Sequence, residues 1–369
     1  MGSLRVLRRS EDVVRVLAAS VTNRAPDVLG PHLASLKALN LPRGVTLDFA
    51  YISDAAPPES ERLLHEAGVR VATAYPKTSG EAYAITETTH EWNLPTFAWL
   101  AREKQRLLDL AVEERYDAIF FVDSDLVLSS DTLASLIAAR KPVVSAVFWT
   151  RWVPDAPPMP QVWLQHPYGM AGRSGVRYLD EATFLRRLAQ RELVEVLGLG
   201  ACTLIAANVI PKVPFFPLLE GLPSGGMWQG EDRSFCIRAQ QAHVPLWADA
   251  WPDVLHLYRP SDVAAFHDHG WAPPARREIA RFGDFVSFTL ETLEELEVIR
   301  MDRREHVRGR IGALKVLPEI EAALLTTRAG DERIIRVTFP AWWSLPEYRG
   351  KTKSILLRML DVKDGCLAS

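Results

Sequence analysis

Residues 118–125 read Ala-Ile-Phe-Phe-Val-Asp-Ser-Asp, and this stretch decides the fold more than any other part of the chain. The five apolar residues 118–122 predict a short buried strand, and Asp123 and Asp125 follow directly at its end. In an open α/β sheet, ligands bind beyond the carboxyl ends of the strands. Carboxylate oxygens at that edge suit a hard divalent cation, and such a cation suits a diphosphate. An EF-hand loop is excluded, because Leu128 stands where the sharp turn of that loop requires glycine.

Strand and helix patterns alternate around this stretch. Apolar and β-branched runs predict further strands in the first half, over 13–21, 45–52, 69–74 and 143–149. Helical spacing predicts helices between them, the longest over 96–114. Strands separated by helices of this length form βαβ units. We therefore expect an α/β fold whose mostly parallel sheet is flanked by helices.

The chain changes character in its second half. A polar, proline-rich stretch over 260–274 predicts a domain boundary. This boundary separates a main domain over 13–271, preceded by an N-terminal extension over 1–12, from a smaller α+β region over 272–369. Two patterns define that last region: helical spacing of Leu290, Leu293, Leu296 and Ile299, and a strand over 334–339.

The composition is ordinary for a globular protein. Of the 369 residues, 48% are hydrophobic and 24% are charged, and the net charge of −3 argues against a nucleic-acid partner bound through general basicity. Three cysteines are too few for a disulfide framework and favour a reducing compartment. The N-terminus lacks a signal-peptide pattern, and no run reaches the ~20 apolar residues of a spanning helix. We expect a cytoplasmic protein, either soluble or peripheral at the inner face of a membrane.

Two later motifs complete the pattern. Gly230-Glu231-Asp232 opens a predicted helix, where the helix dipole favours carboxylates, and His256 ends an apolar stretch. With the two aspartates of 118–125, these motifs make the chain resemble nucleotide-sugar glycosyltransferases of the GT-A fold, closest to the bacterial family 2-like members. The resemblance covers roughly residues 13–260 and is sharpest over 230–239. It rests on residues spread along this range: 16–24, Asp54, Arg106, 121–125, 198–205, 230–238 and His256.

This resemblance implies a metal-dependent transfer. Expulsion of a nucleoside diphosphate builds up negative charge, which bound Mn²⁺ or Mg²⁺ stabilises. Asp125 is the expected metal ligand, Asp123 a second ligand or a ribose contact, and His256 a third, because imidazole suits Mn²⁺ better than Mg²⁺. The acceptor hydroxyl must lose a proton, and Asp232 is the expected base, with Glu231 as second choice. The residues alone leave open that His256 is a core histidine and that the two acidic residues only cap a helix.

The resemblance also implies contacts for the two substrates. The nucleotide is expected beyond the first two strands, the diphosphate near the long helix before residue 118, and the sugar and acceptor near loops of the second half. The expected contacts of the nucleotide are Asn23, Arg24 and Asp54, and those of the diphosphate are Lys104 and Arg106. Gly200 and Trp228 are expected to contact the sugar, and Trp149 and Arg151 the acceptor. The expected partners are a UDP- or GDP-linked sugar donor and a carbohydrate, lipid-linked or protein acceptor.

Other functions stay open on the sequence. A base at Asp232 favours inversion by direct displacement, yet retention of the anomeric configuration is an alternative. A sugar-phosphate nucleotidyltransferase also uses paired aspartates, but residues 20–26, Ser-Val-Thr-Asn-Arg-Ala-Pro, lack the glycine that such enzymes place after the first strand. A non-catalytic domain that binds a carbohydrate or a partner is the third alternative. The C-terminal region is a candidate for forming a homo-oligomer.

Overall fold

The chain divides into two compact units. The computed structural model describes residues 13–77, 93–151, 157–164, 181–220, 230–281, 284–293, 305–311, 313–314, 316–341 and 348–363. The first unit contains the described residues within Met1–Phe184 and Leu193–Trp271, and the second contains those within Leu185–Glu192 and Ala272–Ser369.

The elements up to residue 271 alternate between strands and helices. In chain order, the strands are β1 (Val14–Thr22), β2 (Val45–Ser53), β3 (Arg70–Thr73), β4 (Ala118–Val122), β5 (Leu126–Leu128), β6 (Val143–Ala146), β7 (Trp149–Thr150), β8 (Met159–Pro160), β9 (Val162–Trp163), β10 (Leu193–Val196), β11 (Gly198–Leu199), β12 (Cys202–Ala206), β13 (Leu246–Asp249) and β14 (Val254–His256). The helices are α1 (Pro26–Lys37), α2 (Pro58–Glu66), α3 (Leu94–Glu113), α4 (Thr132–Ala138), α5 (Glu181–Ala189), α6 (Glu231–Gln241) and α7 (Pro260–His269), with a 3₁₀ turn at Ile210–Lys212.

Eight strands form the central sheet, in the order β10-β13-β6-β12-β4-β1-β2-β3. The pairs β1–β2, β1–β4, β2–β3 and β6–β13 are parallel. Within these eight strands, β10 and β12 run against the others and pair antiparallel with their neighbours. The predicted α/β class, with a mostly parallel sheet flanked by helices, is confirmed.

The central position of β4 in the sheet explains why its sequence is apolar throughout. All five residues of β4 are buried, and the strand lies between β1 and β12. Phe120 belongs to a core cluster with Val16 of β1, Leu29 of α1 and Leu133 of α4. Because helices cover the sheet on both faces, a central strand is apolar along its whole length instead of alternating.

The register of the sheet brings the carboxyl ends of three strands to one edge. Thr22 of β1 lies opposite Ser53 of β2, and Ala19 of β1 lies opposite Phe121 of β4. The residues that follow these strands therefore meet at the same edge, where an open α/β sheet binds its ligands.

Two sequence predictions for the first unit differ in detail from the structure. Within the stretch that predicts the domain boundary, residues 260–269 form helix α7, and the chain divides just after it, between Trp271 and Ala272. The backbone N–H of Arg259 donates to Asp262, which caps the helix start. The strand predicted over 143–149 ends at Ala146, and a separate short strand, β7, pairs antiparallel with β8. Both differences arise where a proline or an aromatic residue fits a loop and a regular element equally well.

The second unit is a smaller α+β structure, as predicted. Its strands are β15 (Phe285–Leu293), β16 (Glu305–Arg310), β17 (Glu332–Thr338) and β18 (Thr352–Lys363), with helix α8 (Pro318–Leu324). The strands form an antiparallel sheet in the order β16-β15-β18-β17. Its own core includes Phe288, Leu324, Leu357 and Met359.

The helix predicted from Leu290 onward is wrong in its described part. Leu290 and Leu293 lie in strand β15, which pairs with β18 along its whole length. Leu296 and Ile299 lie outside the described residues. Leucines three residues apart fit a helix face, but hydrogen bonding to neighbouring strands overrides that local pattern.

Within the described residues, no helix has the length and apolar character needed to cross a membrane.

Candidate active site

A cleft opens at the edge of the sheet where β1, β2 and β4 end. Its empty space is about 530 Å³ and is continuous with solvent. The residues that line it include Asn23, Arg24, Asp54, Trp99, Asp123 and Asp125. The structure therefore brings together five residues that the sequence assigns to the nucleotide or the metal, and it adds Trp99.

Asp125 and His256 are neighbours although 130 positions separate them in the sequence. Strand β14 pairs antiparallel with β5, with His256 opposite Leu126, and the backbone N–H of Leu257 donates to the carbonyl of Asp125 at 2.9 Å. As a result, His256 Nε2 lies 3.5 Å from Asp125 Oδ2. The pairing of β14 with β5 thus places the imidazole of His256 beside the carboxylate of Asp125.

Arg24 occupies the other side of Asp125. Its Nη2 donates to Asp125 Oδ2 at 2.5 Å, with side chains that are 18% and 5% exposed respectively. Burial by itself would raise the pKa of Asp125, but Arg24 and His256 hold that pKa well below its ordinary value. Asp125 is therefore ionised at neutral pH.

The donor set tests whether a divalent cation fits. In the part of the chain that the structure describes, no group of three His, Cys, Asp or Glu side chains is gathered for a metal. Asp125 Oδ1, however, is buried and receives no hydrogen bond. A buried acceptor oxygen without a partner is costly. Asp125 and His256 fit an ion that completes its shell with phosphate oxygens and water, which is how Mg²⁺ binds beside nucleotides.

Thr150 orients the imidazole of His256. Its buried hydroxyl lies 2.8 Å from His256 Nδ1. When Nδ1 carries the proton and donates to this hydroxyl, the lone pair of Nε2 is free to bind a cation near Asp125. Phe148 packs edge-on against the same ring, at 5.1 Å between centroids.

Asp123 lies in a region of excess negative charge. Burial raises its pKa to about 8, and the carboxylates of Asp125, Asp232 and Glu231 add to this effect against the opposing charge of Lys104. Its backbone is fixed, because the N–H of Asp123 donates to the carbonyl of Ala201 at 3.0 Å. A bound cation would relieve this repulsion.

Lys104 joins helix α3 to the start of α6. Its Nζ donates to Glu231 Oε1 at 2.7 Å and to Asp232 Oδ1 at 3.0 Å. Burial alone would lower the pKa of Lys104, but Asp232, Glu231 and Asp123 raise it well above its ordinary value. Burial, together with Asp232, raises the pKa of Glu231. Lys104 is not among the residues that line the cleft, whereas Arg24 is. The predicted contact of Lys104 to a diphosphate stays a prediction.

His32 anchors the aspartate loop, which consists of residues 123–125. His32 Nδ1 lies 2.7 Å from the carbonyl of Leu126, and Nε2 lies 2.6 Å from the hydroxyl of Tyr51. A carbonyl only accepts, so Nδ1 carries the proton and Nε2 accepts from Tyr51. Burial lowers the pKa of His32 to about 4, and burial also raises the pKa of Tyr51. This neutral chain ties the loop to α1 and β2.

Asp54 pairs with Lys77 at the far end of the cleft. The Lys77 ammonium also lies 4.1 Å from the centre of the Trp99 ring, an arrangement that favours a cation over the indole face. The indole N–H of Trp99 donates to the carbonyl of Tyr75 at 2.9 Å, which fixes the segment after β3 onto α3. This corner therefore holds a carboxylate, an ammonium and an aromatic ring close together.

Other predicted residues lie elsewhere. Arg106 donates to Glu103 at 2.5 Å and to the carbonyl of Thr73 at 3.1 Å, and it does not line the cleft. Trp149 is 41% exposed, and Arg151 is exposed with its carbonyl accepting from Arg259.

The two predicted contacts to the sugar are Gly200 and Trp228. A Cβ on Gly200 would lie 3.1 Å from the carbonyl oxygen of Gln161, so this position favours glycine. The next residue, Ala201, accepts the N–H of Asp123, which puts Gly200 beside the aspartate loop. Trp228 lies outside the described residues.

Sequence reasoning missed Lys77, Trp99, Thr150 and His32. A lysine in a loop and a tryptophan on a helix are usually surface and core residues, so neither type alone signals a site. Thr150 lies between Trp149 and Arg151, the two predicted acceptor contacts, but its link to His256 needs the β14–β5 pairing. A buried histidine beside an Asp-Ser-Asp loop becomes visible only once α1 is packed on the sheet.

Comparisons with known proteins give distant sequence similarities. No protein-family model matches the chain. Trigger factors from Polynucleobacter asymbioticus and Polynucleobacter necessarius subsp. necessarius are 22% and 23% identical over 209 and 207 residues. Each alignment covers 55% of this chain and 46% of the relative. The chain thus spans about half the length of these curated relatives.

Similar solved structures are equally distant. GalNAc-T7 with UDP, GalNAc and Mn²⁺ is 13% identical with a TM-score of 0.43, and the match covers 71% of this chain and 46% of that one. TarS 1–349 from S. aureus is 12% identical with a TM-score of 0.38, covering 64% of this chain and 58% of that one. Its complex with UDP-GlcNAc has a TM-score of 0.33 at 12% identity, covering 64% and 56%. These scores add nothing to the fold assignment, which rests on the sheet itself.

Proposed function

We propose that the chain is a glycosyltransferase that moves a sugar from a nucleoside diphosphate sugar to an acceptor hydroxyl. The observation that carries this proposal is the carboxylate of Asp125 at the sheet edge, with Asp232 of α6 near enough to the same loop to act on Asp123. Asp125 keeps an unpartnered oxygen beside the cleft, and Asp232, which acts electrostatically on Asp123, remains 30% exposed. The sequence resemblance to GT-A glycosyltransferases supports the same reading.

Divalent Mn²⁺ or Mg²⁺ belongs to this proposal. Asp125 and His256 would hold the ion, with Asp123 as a further ligand or a ribose contact. When bound, the ion would neutralise charge on the departing diphosphate. Arg24 lies next to the same carboxylate and would offer charge-assisted hydrogen bonds to the phosphates. Asn23 and Asp54 line the cleft and would contact the ribose or base.

Asp232 is the proposed base. It would accept the proton of the acceptor hydroxyl while the acceptor oxygen bonds to the anomeric carbon. The bond between that carbon and the diphosphate oxygen breaks, and its electron pair leaves with the nucleotide. A base acting in one displacement step inverts the anomeric configuration. Glu231 is the weaker choice, because its side chain is only 8% exposed.

The test is incubation of the whole chain with UDP- and GDP-linked hexoses in the presence of MnCl₂. We expect UDP or GDP to be released from at least one donor, slowly to water and faster with a suitable acceptor. NMR of the product is expected to show an inverted anomer. Release of pyrophosphate from a nucleoside triphosphate and a sugar phosphate, with no turnover of any sugar nucleotide, would instead identify a nucleotidyltransferase.

A further inference from the structure

The buried ion cluster of Lys104, Glu231 and Asp232 needs an explanation of its own. Its lysine side chain is 5% exposed, and burying an ammonium is expensive unless its hydrogen bonds are supplied. Such a cluster is weak evidence for stability, because apolar residues of similar volume often stabilise a core as well or better. We therefore consider that this cluster serves to position one of its own side chains.

The two carboxylates of the cluster are not equivalent. Glu231 is 8% exposed and binds Lys104 at 2.7 Å, whereas Asp232 is 30% exposed and binds at 3.0 Å. Glu231 is therefore the enclosed counter-ion of Lys104. Asp232 contacts the lysine through Oδ1 only, so its Oδ2 is the atom left to meet a substrate.

The surroundings fix the ammonium from several sides. Helix α3 carries Lys104, helix α6 carries both carboxylates, and the ring of Phe215 lies 5.5 Å from Nζ. Asp123 adds negative charge from the end of β4. Neither Glu231 nor Asp232 caps α6 by hydrogen bonding from the N-cap position, which Gly230 occupies.

We propose that Lys104 is a positioning residue that holds Asp232 by one carboxylate oxygen and directs the other toward the acceptor hydroxyl. The assignment rests on the proposed glycosyl transfer and deepens it. Lys104 itself forms and breaks no bond: the acceptor proton moves to Asp232 Oδ2, and the ammonium offsets the charge of both carboxylates before the transfer and that of Glu231 after it. Glu231 keeps Lys104 in place and takes no proton from the substrate.

The test compares Lys104→Met and Lys104→Arg with the wild type. The probes are UDP and GDP binding by calorimetry with MnCl₂, and hydrolysis of whichever UDP- or GDP-linked hexose the wild type consumes. Lys141→Met is the matched control, because Lys141 is a lysine packed over a tryptophan ring, that of Trp247, at 3.7 Å. This control is expected to leave both measurements unchanged.

For Lys104→Met we expect nucleotide affinity within about threefold of wild type and kcat lower by on the order of 100-fold, the usual contribution of a positioned base. The acid limb of the kcat–pH profile should move to higher pH, because loss of the ammonium removes the positive charge that lowers the pKa of Glu231, next to the proposed base. Lys104→Arg keeps the charge and the donors and should restore part of kcat and the original limb.

Two results would overturn the assignment. A loss of nucleotide affinity that matches the loss of kcat would make Lys104 a diphosphate contact. A lower kcat with an unmoved pH profile in both variants would make it a structural residue. If Lys104→Met does not fold, the double variant Lys104→Met/Glu231→Gln, which removes this buried ion pair, carries the same expectations for nucleotide affinity and kcat. A wild type that binds no nucleotide and consumes no donor would instead overturn the proposed transfer itself.

Discussion

Asp123 and Asp125 stand one residue apart yet have opposite electrostatic environments. Asp125 faces Arg24 and His256, which lower its pKa, whereas Asp123 is buried near three other carboxylates, and its pKa is raised to about 8. The spacing Asp-Ser-Asp predicts the presence of both groups but not this difference. The difference depends on Arg24 from the end of β1 and His256 from β14, which only the fold brings near.

On the proposed function, Arg24 and a divalent cation would compete for Asp125. Arg24→Met should therefore raise the affinity for Mn²⁺ without nucleotide by on the order of tenfold, because a positive charge 2.5 Å from Oδ2 of the proposed ligand carboxylate is removed. The same variant should weaken binding of UDP or GDP by about tenfold or more, since charge-assisted contacts to phosphate are lost.

Titration of MnCl₂ and of each nucleotide into the Arg24 variant by calorimetry measures both effects. Arg62→Met, an exposed arginine of α2, serves as the control and should change neither. Changes of the same sign for metal and nucleotide would contradict a competition at Asp125.

His32 makes stability depend on pH. Its pKa is about 4 in the folded protein and about 6.5 in an unfolded chain, so the unfolded state binds the extra proton first. The stability linked to neutral His32 is complete above pH 6.5 and is lost as the pH falls toward 4, by up to roughly 3 kcal/mol.

Urea unfolding of the wild type and of His32→Gln between pH 7 and pH 4.5 tests this dependence. Glutamine offers one donor and one acceptor at the same position but does not titrate. The variant should be less stable at pH 7, and the difference should shrink as the pH falls. A difference that is constant with pH would contradict a buried neutral histidine.

At the scale of elements, the alternation of strands and helices up to residue 146 follows directly from the sequence. Strand β4 has the predicted bounds, and α3 differs from its prediction by two residues at its start and one at its end. The sequence prediction fails where pairing with distant strands decides the local structure. Leu290 and Leu293 lie in β15 because β18 and β16 supply hydrogen bonds on both sides. No local pattern of 15 residues contains that information.

Strand β11 depends on a glycine that meets an aromatic ring. A Cβ on Gly198 would lie 1.7 Å from the Trp163 side chain, so the indole would have to move. Trp163 also lies under the guanidinium of Arg233, 4.6 Å from the ring centre, beside the proposed base. Gly198→Ala should therefore destabilise the protein by about 1–3 kcal/mol, as overpacking does elsewhere.

Thermal or urea unfolding measures this cost. Gly30→Ala is the matched control: Gly30 lies within helix α1, and a Cβ there meets nothing within 4 Å. That control should be neutral or stabilising by up to about 1 kcal/mol, because alanine is the better helix former. Equal effects of both substitutions would show that the contact with Trp163 is not the cause.

At the scale of the whole molecule, the first unit carries the cleft, the charged groups around Asp125 and the ion cluster of Lys104, Glu231 and Asp232. The sheet edge is built from the ends of β1, β2 and β4, while α3 and α6 supply Lys104, Glu231 and Asp232 from outside the sheet. The second unit has its own sheet and core, and none of the proposed site residues belongs to it. The sequence predicts the site residues by type and order, but their pairing with Lys77, Thr150 and His32 depends on the assembled fold.

The most direct measurement is calorimetric titration of the whole chain with UDP and with GDP, each with and without MnCl₂. We predict that one of the two nucleotides binds at least tenfold more tightly when Mn²⁺ is present, and that Asp125→Ala abolishes this gain while the exposed-site control Asp27→Ala keeps it. Binding of neither nucleotide, or an affinity that is the same with and without Mn²⁺, would contradict a cation-assisted nucleotide site at this sheet edge.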